Sequence, residues 1–301
     1  RTCTDCANRC TITVVRIEGG AEESWGYMCG RDGHEGADGY PRPHEDPRLR
    51  DRENTRPVNH LSRVRAMMNG ASHEGAQTFV RLHGTRIGIP QALSMHGYLP
   101  LWRTFLERLG FDVALSGVST PHHKEAGIRI AKSDFCFPVK MALAHARDLA
   151  GRDGVDALFF PTVISERKQE SGLPRISCPY VMSFPSIAAG TLELPVPVIA
   201  PVVDFRLDER LIVESLKQAF AGFSPGEDDV RRAYRAGLEV HRAYLQRRYE
   251  YGQKLLARMK DDGKRGIVFI GRPYNLYDPV VNMGLRNASP GATSRSCPTS
   301  A

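Results

Sequence analysis

The fold is decided by residues 86–116, RIGIPQALSMHGYLPLWRTFLERLGFDVALS, which contain one β-α-β unit. The apolar run 86–90 predicts a short strand, and apolar residues at helical spacing over 101–110 predict a helix that ends in a glycine. Residues 112–116 predict the next strand. Because a strand that returns through a crossover helix pairs in parallel with the first, this stretch predicts an α/β domain.

The alternation of strands and helices continues towards the C-terminus. Further strands are predicted at 156–162, 197–203 and 266–271, and further helices at 137–150, 208–220 and 228–260. Helices that connect parallel strands cover both faces of the sheet. We therefore predict a doubly wound, Rossmann-like parallel sheet with ligands at the carboxyl ends of its strands. The phosphate-binding patterns GxGxxG and GxxxxGKS/T are absent, so ATP hydrolysis is not expected of this chain.

Composition and charge exclude several other classes of protein. The 301 residues are 41% hydrophobic and 25% charged, as in ordinary globular domains. The most apolar stretch, 196–203, is short and interrupted by prolines, so no membrane span is predicted. No basic and then apolar leader follows Arg1, and we therefore expect a cytoplasmic protein. The net charge of +7 is scattered among acidic residues without interleaved aromatic side chains, which argues against nucleic acid as a partner.

Four of the seven cysteines lie near the N-terminus in the pattern C-x2-C-x3-C-x18-C, as Cys3, Cys6, Cys10 and Cys29. Four thiolates at this spacing can hold one metal ion in a tetrahedron. The gaps differ from those of the common ferredoxin run, so zinc and an iron-sulfur cluster both stay open as the metal. A site without metal would hold free or disulfide-bonded thiols. We predict a small four-cysteine metal knuckle in residues 1–35.

Cys136 and Cys178 form a second candidate pair. Cys136 comes shortly before Pro138, which fits the first turn of a predicted helix, and Ser133 or Asp134 could cap that helix. Unpaired amides at a helix N-terminus lower a thiol pKa and favour the thiolate that binds metal. Cys178 is followed by a proline, as the last ligand of a ferredoxin run is. Each cysteine alone is more often a buried structural thiol, whereas the two together indicate a cluster site.

Two basic residues are candidates for binding a phosphate near this pair. Lys140 lies about one helical turn beyond Cys136 and could face the same crevice, although a lysine there more often covers a helix surface. Arg272 follows a glycine where a strand is predicted to end, and a plain strand-to-loop exit is the alternative. His145 falls near the opposite face of its helix and is left out of the predicted site. Cys297 has no predicted role.

Several segments resemble, in order, one known domain family. Besides 86–116 they are SDFCFPVKMALAHARDL at 133–149, DALFFPTVISERKQ at 156–169, SCPYVMSFPSI at 177–187 and GIVFIGRPYNLYDPVVNMGL at 266–285. They resemble the 2-hydroxyacyl-CoA dehydratase-related domain of large CoA-substrate-specific enzyme activases, the 2-hydroxyglutaryl-CoA dehydratase activator-like proteins of anaerobic bacteria. The resemblance covers about residues 1–285. In that family two ATPase modules precede a C-x2-C-x3-C segment, which implies that this chain is an internal fragment.

The resemblance implies a role in the dehydration of 2-hydroxyacyl-CoA thioesters. In such systems an ATPase with its own iron-sulfur cluster donates one low-potential electron, and the dehydratase cluster passes it to the thioester carbonyl, producing a ketyl radical that expels hydroxide. On this likeness Cys136 and Cys178 would ligate a [4Fe-4S] cluster whose third ligand is missing or non-protein, with Lys140 and Arg272 near the CoA. The implied partners are the ATPase activase modules of the same full-length protein and an acyl-CoA.

The chain is thus predicted to have four parts. Residues 1–35 form the cysteine-rich metal-binding segment, 36–80 a polar linker or arm, 81–285 the α/β dehydratase-like domain, and 286–301 a disordered tail that looks frameshifted or truncated. The predicted function is that of an iron-sulfur redox domain that takes part in ATP-driven, low-potential electron transfer to an acyl-CoA or related substrate. The alternative is a non-catalytic scaffold or regulatory module with a structural zinc knuckle.

Overall fold

The computed structural model describes residues 1–2, 11–16, 22–25, 60–71, 84–166, 176–263 and 269–282. Within these ranges the strands are β1 Thr13–Arg16, β2 Glu22–Trp25, β3 Arg86–Ile89, β4 Asp112–Leu115, β5 Ala157–Phe159, β6 Thr162–Ser165, β7 Val198–Ile199 and β8 Val202–Asp204. The helices are α1 His60–Asn69, α2 Met95–Arg108, α3 Pro121–Ile130, α4 Phe137–Ala150, α5 Pro179–Met182, α6 Phe184–Thr191, α7 Glu209–Ala219, α8 Glu227–Asp261 and α9 Pro273–Tyr277.

Four of these strands form one parallel sheet in the order β4-β3-β5-β7. Strands β6 and β8 form a separate parallel pair, and β1 and β2 form an antiparallel pair. The predicted α/β class with a parallel sheet is therefore confirmed. The doubly wound, Rossmann-like arrangement stays a prediction, and the cysteines of the predicted N-terminal knuckle lie outside the described residues.

The central strand β3 is buried on both of its faces. Ile87 and Ile89 have no exposed surface. Alternate side chains of a strand point to opposite faces, so Gly88 belongs to the other face. There Leu149 of α4 packs so closely that a Cβ added to Gly88 would stand 2.8 Å from it. Burial on both sides explains why this strand is a continuous apolar run rather than an alternating one.

Two predicted strands are each divided by a proline. The prediction of one strand over 156–162 is corrected to β5 and β6, with Pro161 between them, and 197–203 is corrected to β7 and β8, with Pro201 between them. A proline has no N–H to donate to a strand ladder, so the main sheet ends at these points and β6 pairs with β8 instead. Of the strand predicted at 266–271, residues 269–271 are irregular and the rest lies outside the described residues.

The long helices agree closely with the periodicity of the sequence. Helix α4 has the bounds predicted, and α7 and α8 differ from prediction by one residue at each end. Helix α2 begins at Met95 instead of residue 101 and includes Pro100. A proline inside a helix removes one hydrogen bond, and here the complete burial of the flanking Leu99 and Leu101 offsets that cost. Helices α1, α3, α5, α6 and α9 were not predicted.

Helix α8 is the longest element, and only its first half is buried. Its buried residues all lie between Val230 and Tyr244. There it packs against α2 at Gly237, where a Cβ would stand 2.6 Å from the carbonyl oxygen of Leu101. In spite of this length, none of the helices in the described part of the chain is apolar enough to cross a membrane.

Helices α3 and α4 cross at a second closely packed glycine. A Cβ added to Gly127 of α3 would stand 2.2 Å from the carbonyl oxygen of Lys140 in α4. That atom belongs to the helix backbone and cannot rotate away. The contact fixes the distance between the two helices and, with it, the position of the first turns of α4.

We predict that Gly127→Ala lowers the free energy of unfolding by about 3 kcal/mol, because the methyl group forces the two helix backbones apart. Urea denaturation followed by circular dichroism measures this. The matched control is Gly252→Ala, since no atom lies within 4 Å of a Cβ at that position of α8. The control should gain about 0.5–1 kcal/mol from the higher helix propensity of alanine. Equal stability of Gly127→Ala and the unchanged chain would contradict the close approach.

Candidate functional site

The fold brings Cys136 and Cys178 to the same place. Cys136 is the N-cap of α4 and Cys178 is the N-cap of α5, each with a proline in the first turn that follows. The segments that carry them meet edge to face through Phe135 and Tyr180, whose ring centres are 6.0 Å apart. Both thiols are free, and Cys178 is close enough for its charge to act on Cys136. Two thiols from distant parts of the sequence therefore share one site.

The protonation of Cys136 differs from what the sequence predicted. Partial burial raises the pKa of the Cys136 thiol, and the nearby Cys178 raises it further. These effects outweigh the amide of Val139 in the first turn of α4 and the charge of Lys140, which act in the opposite direction. The prediction that the helix N-terminus lowers the pKa of Cys136 is therefore wrong. Loss of water around the sulfur destabilises the thiolate more than the helix N-terminus stabilises it.

Lys140 lies on the first turns of α4 with its side chain wholly buried. Its Nζ is 3.7 Å from Oδ1 of Asp134 and makes no hydrogen bond within the described part of the chain. Asp134 was predicted as a possible cap of α4, but the N-cap is Cys136 itself and receives no side-chain cap bond. The charge of Lys140 reaches the thiol of Cys136. Its proposed contact with CoA phosphates stays a prediction.

A third segment approaches the two cysteines from the C-terminal side. Arg272 is exposed and is the N-cap of α9, and Tyr274 in the first turn of that helix is buried. Burial raises the pKa of the Tyr274 phenol, with Arg272 acting in the opposite direction and Cys178 and Cys136 adding to the rise. Arg272 and Tyr274 thus lie in the surroundings of the cysteine pair. A role for Arg272 in binding phosphate stays a prediction.

The cysteines stand as a pair in the part of the chain that is described. There, no group of three or more His, Cys, Asp or Glu side chains is arranged to hold a metal ion. A third protein ligand for a cluster is therefore not found among these residues. The other predicted ligands, Cys3, Cys6, Cys10 and Cys29, lie outside the described residues, as does Cys297.

A buried chain of hydrogen bonds, which the sequence did not reveal, lies at the carboxyl ends of β3 and β4. The backbone N–H of Gln91 donates to Ser116 Oγ at 2.9 Å. The same oxygen lies 2.8 Å from Nδ1 of His145, and Nε2 of His145 lies 2.8 Å from Ser119 Oγ. Ser119 in turn donates a hydrogen bond to Oδ2 of Asp278. We call this the Gln91–Asp278 chain.

The directions of the bonds in the Gln91–Asp278 chain follow from the carboxylate of Asp278 and from the neutral imidazole of His145. The carboxylate of Asp278 can only accept, so Ser119 donates to it and must accept from His145 Nε2–H. The N–H of Gln91 donates to one lone pair of Ser116, which leaves the hydroxyl proton of Ser116 available. His145 is neutral because burial lowers its pKa, so its one proton is on Nε2 and Ser116 donates to Nδ1.

Burial determines the protonation of the imidazole in the Gln91–Asp278 chain, and polar partners determine that of the carboxylate. Loss of water lowers the pKa of His145 to about 3, and the stacked ring of His123, 4.2 Å away, acts in the same direction. Burial favours the acid form of Asp278, but the imidazole of His96 and the hydroxyl of Ser119 outweigh it and hold the pKa of Asp278 at about 2. The pair is therefore a neutral imidazole and an ionised carboxylate at neutral pH.

One weak signal in the sequence indicates the Gln91–Asp278 chain of hydrogen bonds. Ser116 is the last residue of the predicted strand 112–116. It therefore lies at the carboxyl end of a parallel strand, where functional polar side chains are expected. The helical periodicity places His145 on the face of α4 away from Cys136, which agrees with its position in the Gln91–Asp278 chain. Nothing local marks Ser119 or Asp278, because their partners lie far away in the sequence.

We predict that acid destabilises the protein through His145. Unfolded histidine binds a proton near pH 6.5, whereas the folded one does so only near 3. Between these values the unfolded state holds the extra proton, so the free energy of unfolding falls by about 1.4 kcal/mol for each pH unit as the pH drops. Urea denaturation from pH 7 to pH 4 measures the slope. His145→Gln should give a shallower slope, and His122→Gln, an exposed control on α3, should not. Parallel slopes for all three proteins would disprove this account.

Comparison with known protein families gives a match over most of the described α/β part of the chain. Residues 86–289 match the family described as the CoA enzyme activase uncharacterised domain (DUF2229). No curated protein and no solved structure gives a significant match to the chain. The matched range holds Cys136, Cys178, Lys140 and Arg272, and it covers well over half of the sequence. The chain therefore belongs to the DUF2229 domain family of CoA enzyme activase proteins.

Proposed function

We propose that this chain is an iron-sulfur redox domain of a 2-hydroxyacyl-CoA dehydratase and activase type of system. In that role it takes part in ATP-driven, low-potential electron transfer to an acyl-CoA or a related substrate. The observation that carries the proposal is the convergence of Cys136 and Cys178 in a member of the activase domain family. Two soft thiol ligands at one site suit iron-sulfur chemistry, since such clusters are held by cysteine thiolates.

Cys136 and Cys178 would supply two of the protein ligands of an iron-sulfur cluster. Both are N-caps of helices, and the amide of Val139 in the first turn of α4 favours the thiolate of Cys136. Cys136 is also exposed enough to be reached by a ligand from solvent. Two protein ligands leave positions for a third ligand from elsewhere in the protein or from the substrate. When bound, a [4Fe-4S] cluster supplies one-electron chemistry, which no side chain of this site supplies.

Positive charge near the cysteines supports an anionic ligand beside them. Lys140 is buried one turn from Cys136, with Asp134 at 3.7 Å as its nearest acid. Arg272 is exposed at the N-terminus of α9, next to Tyr274. In the proposed role, Lys140 balances the negative charge that thiolates and sulfide bring into a half-buried site. Arg272, which is free to reach into solvent, contacts the phosphates of CoA.

The proposed partners follow from the family. ATPase activase modules of the same full-length protein would supply the electron, and an acyl-CoA would receive it. The N-terminal cysteines would form a second metal site between those modules and this domain, with either zinc or an iron-sulfur cluster. In a cytoplasmic, anaerobic setting both sites would stay reduced.

Anaerobic reconstitution with iron and sulfide tests the proposal. The experiment uses the full chain with Cys3, Cys6, Cys10 and Cys29 changed to serine, so that the second site cannot contribute. We expect about four irons and four sulfides per chain, with the absorption of a [4Fe-4S] cluster. Combining Cys136→Ser and Cys178→Ser should remove nearly all of this iron, because both thiolates are lost.

Cys297→Ser is the matched control and should bind iron as the parent chain does. Iron and sulfide that persist without Cys136 and Cys178 would refute the assignment of the ligands. If the chain with all its cysteines instead takes up one zinc and no iron, the protein is the alternative, a non-catalytic scaffold or regulatory module with a structural zinc knuckle. Cys136 and Cys178 would then be ordinary structural thiols.

A further inference from the structure

A small cavity opens beside the carboxyl ends of β3 and β4. The buried His96, Ser119 and Asp278 form its polar part, and Met68, Val118 and Pro279 form its apolar part. Ligands of α/β proteins bind outside the carboxyl ends of parallel strands, so the cavity lies where a ligand is expected. It has room for about one group of the size of water. Only the tip of a ligand can therefore enter it.

The carboxylate of Asp278 can accept one more hydrogen bond from a group in the cavity. The residue is 2% exposed. Its Oδ1 accepts the backbone N–H groups of Val280 at 2.8 Å and Val281 at 2.9 Å. Its Oδ2 accepts the hydroxyl of Ser119. Because each oxygen of a carboxylate can accept two hydrogen bonds, Oδ2 can accept another besides that of Ser119.

The imidazole of His96 faces this carboxylate and lines the same cavity. His96 is 6% exposed, and its Nε2 makes no hydrogen bond within the described part of the chain. Nε2 lies 3.6 Å from Oδ2 of Asp278, which is too far for a direct hydrogen bond. A nitrogen without a proton would turn its lone pair towards the ionised carboxylate, and the two would repel each other. Nε2 therefore carries a proton and needs an acceptor.

A hydroxyl group satisfies both of these side chains at once. An oxygen placed between them must accept the proton of His96 Nε2 and donate its own proton to Oδ2 of Asp278. A carbonyl or ether oxygen can only accept, and an ammonium group can only donate. An amide does both, but through two separate atoms, for which the cavity has no room. The chemistry of the polar part therefore selects an alcohol or water.

The apolar part of the cavity favours the alcohol. Val118 is 38% exposed and Pro279 is also exposed, so these two side chains mark the mouth, and Met68 lies buried behind them. Gly117 adds no side chain to this mouth, and no atom lies within 4 Å of a Cβ at that position. Such a surface suits a carbon chain, because contact with it removes apolar area from water. An anionic ligand would be repelled by the ionised Asp278.

We infer that this cavity is a binding site for the hydroxyl group of a small, neutral aliphatic ligand, with His96 as the donor and Asp278 as the acceptor. Met68, Val118 and Pro279 contact the carbon chain beside that group. The site uses neither of the cysteines, so the inference goes beyond the proposed function and does not depend on it.

Saturation-transfer NMR of the full chain with 2-butanol tests the inference. The parent chain should bind 2-butanol saturably, with a dissociation constant in the millimolar range expected for so small a ligand. 2-Butanone keeps the carbon chain and the oxygen but has no proton to donate. It should bind about tenfold more weakly, because its oxygen then faces the carboxylate of Asp278 unpaired. Equal binding of the two compounds, or no saturable binding of 2-butanol, would overturn the inference.

Substitution of His96 locates the binding. His96→Phe keeps a flat ring but removes the donor, and it should weaken the binding of 2-butanol about tenfold. His122→Phe is the matched control, since His122 is exposed on α3, and it should bind 2-butanol as the parent chain does. An unchanged dissociation constant in His96→Phe would overturn the inference.

Near-ultraviolet circular dichroism verifies the folding of each variant. Should His96→Phe fail to fold, Val118→Trp replaces it, because the exposed Val118 lies at the mouth and a large ring there closes the entrance. This variant leaves the polar part of the cavity intact. It should also weaken the binding of 2-butanol about tenfold, and an unchanged dissociation constant would overturn the inference.

Competition with D-pantetheine distinguishes two sources of the hydroxyl. This part of CoA carries a hydroxyl on a branched aliphatic chain, and only this arm of the experiment rests on the proposed function. Displacement of 2-butanol by D-pantetheine assigns the hydroxyl to a CoA ligand, whereas undisturbed binding of 2-butanol assigns it to a free alcohol. None of these measurements involves iron, so a failure of cluster binding leaves their outcome unaffected and the two proposals are judged separately.

Discussion

The buried carboxylate of Asp278 is the interaction on which the arrangement of the candidate site depends. It joins a segment near the end of the described chain to residues that follow β3 and β4, far away in the sequence. A charge withdrawn from water in this way is tolerated only when its oxygens are fully bonded. Ser119 and two backbone amides meet that requirement here. The result is a fixed geometry between the sheet edge and α9.

The two-cysteine site shows a balance between opposing electrostatic effects. A helix N-terminus favours the thiolate of Cys136, whereas partial burial and the neighbouring Cys178 favour the thiol. In the metal-free protein the second pair of effects is the stronger. Bound metal would reverse the balance, because a cation nearby compensates for the missing water. The thiol of Cys136 therefore stays protonated at neutral pH in the metal-free protein.

The sequence predicted what depends on local pattern and missed what depends on distant contacts. Helix α4 was predicted residue for residue, since its apolar spacing and the proline after Cys136 are local signals. The division of two strands at Pro161 and Pro201 follows from proline chemistry, although the apolar pattern of these runs alone predicts undivided strands. The pairing of Ser119 with Asp278 was out of reach, because no local pattern marks a bond between residues so far apart. The raised pKa of Cys136 likewise depends on burial, which periodicity does not measure.

The fixed direction of the Gln91–Asp278 chain has a consequence for proton movement. A wire that relays protons must be able to reverse each of its bonds after one has passed. At Asp278 the acceptor is a carboxylate whose low pKa keeps it ionised, so the proton of Ser119 stays directed at it. Ser119 therefore accepts from Nε2 of His145, and the neutral ring is held in one tautomer. At neutral pH the row of hydroxyls and imidazole is thus a structural tether rather than a path for protons.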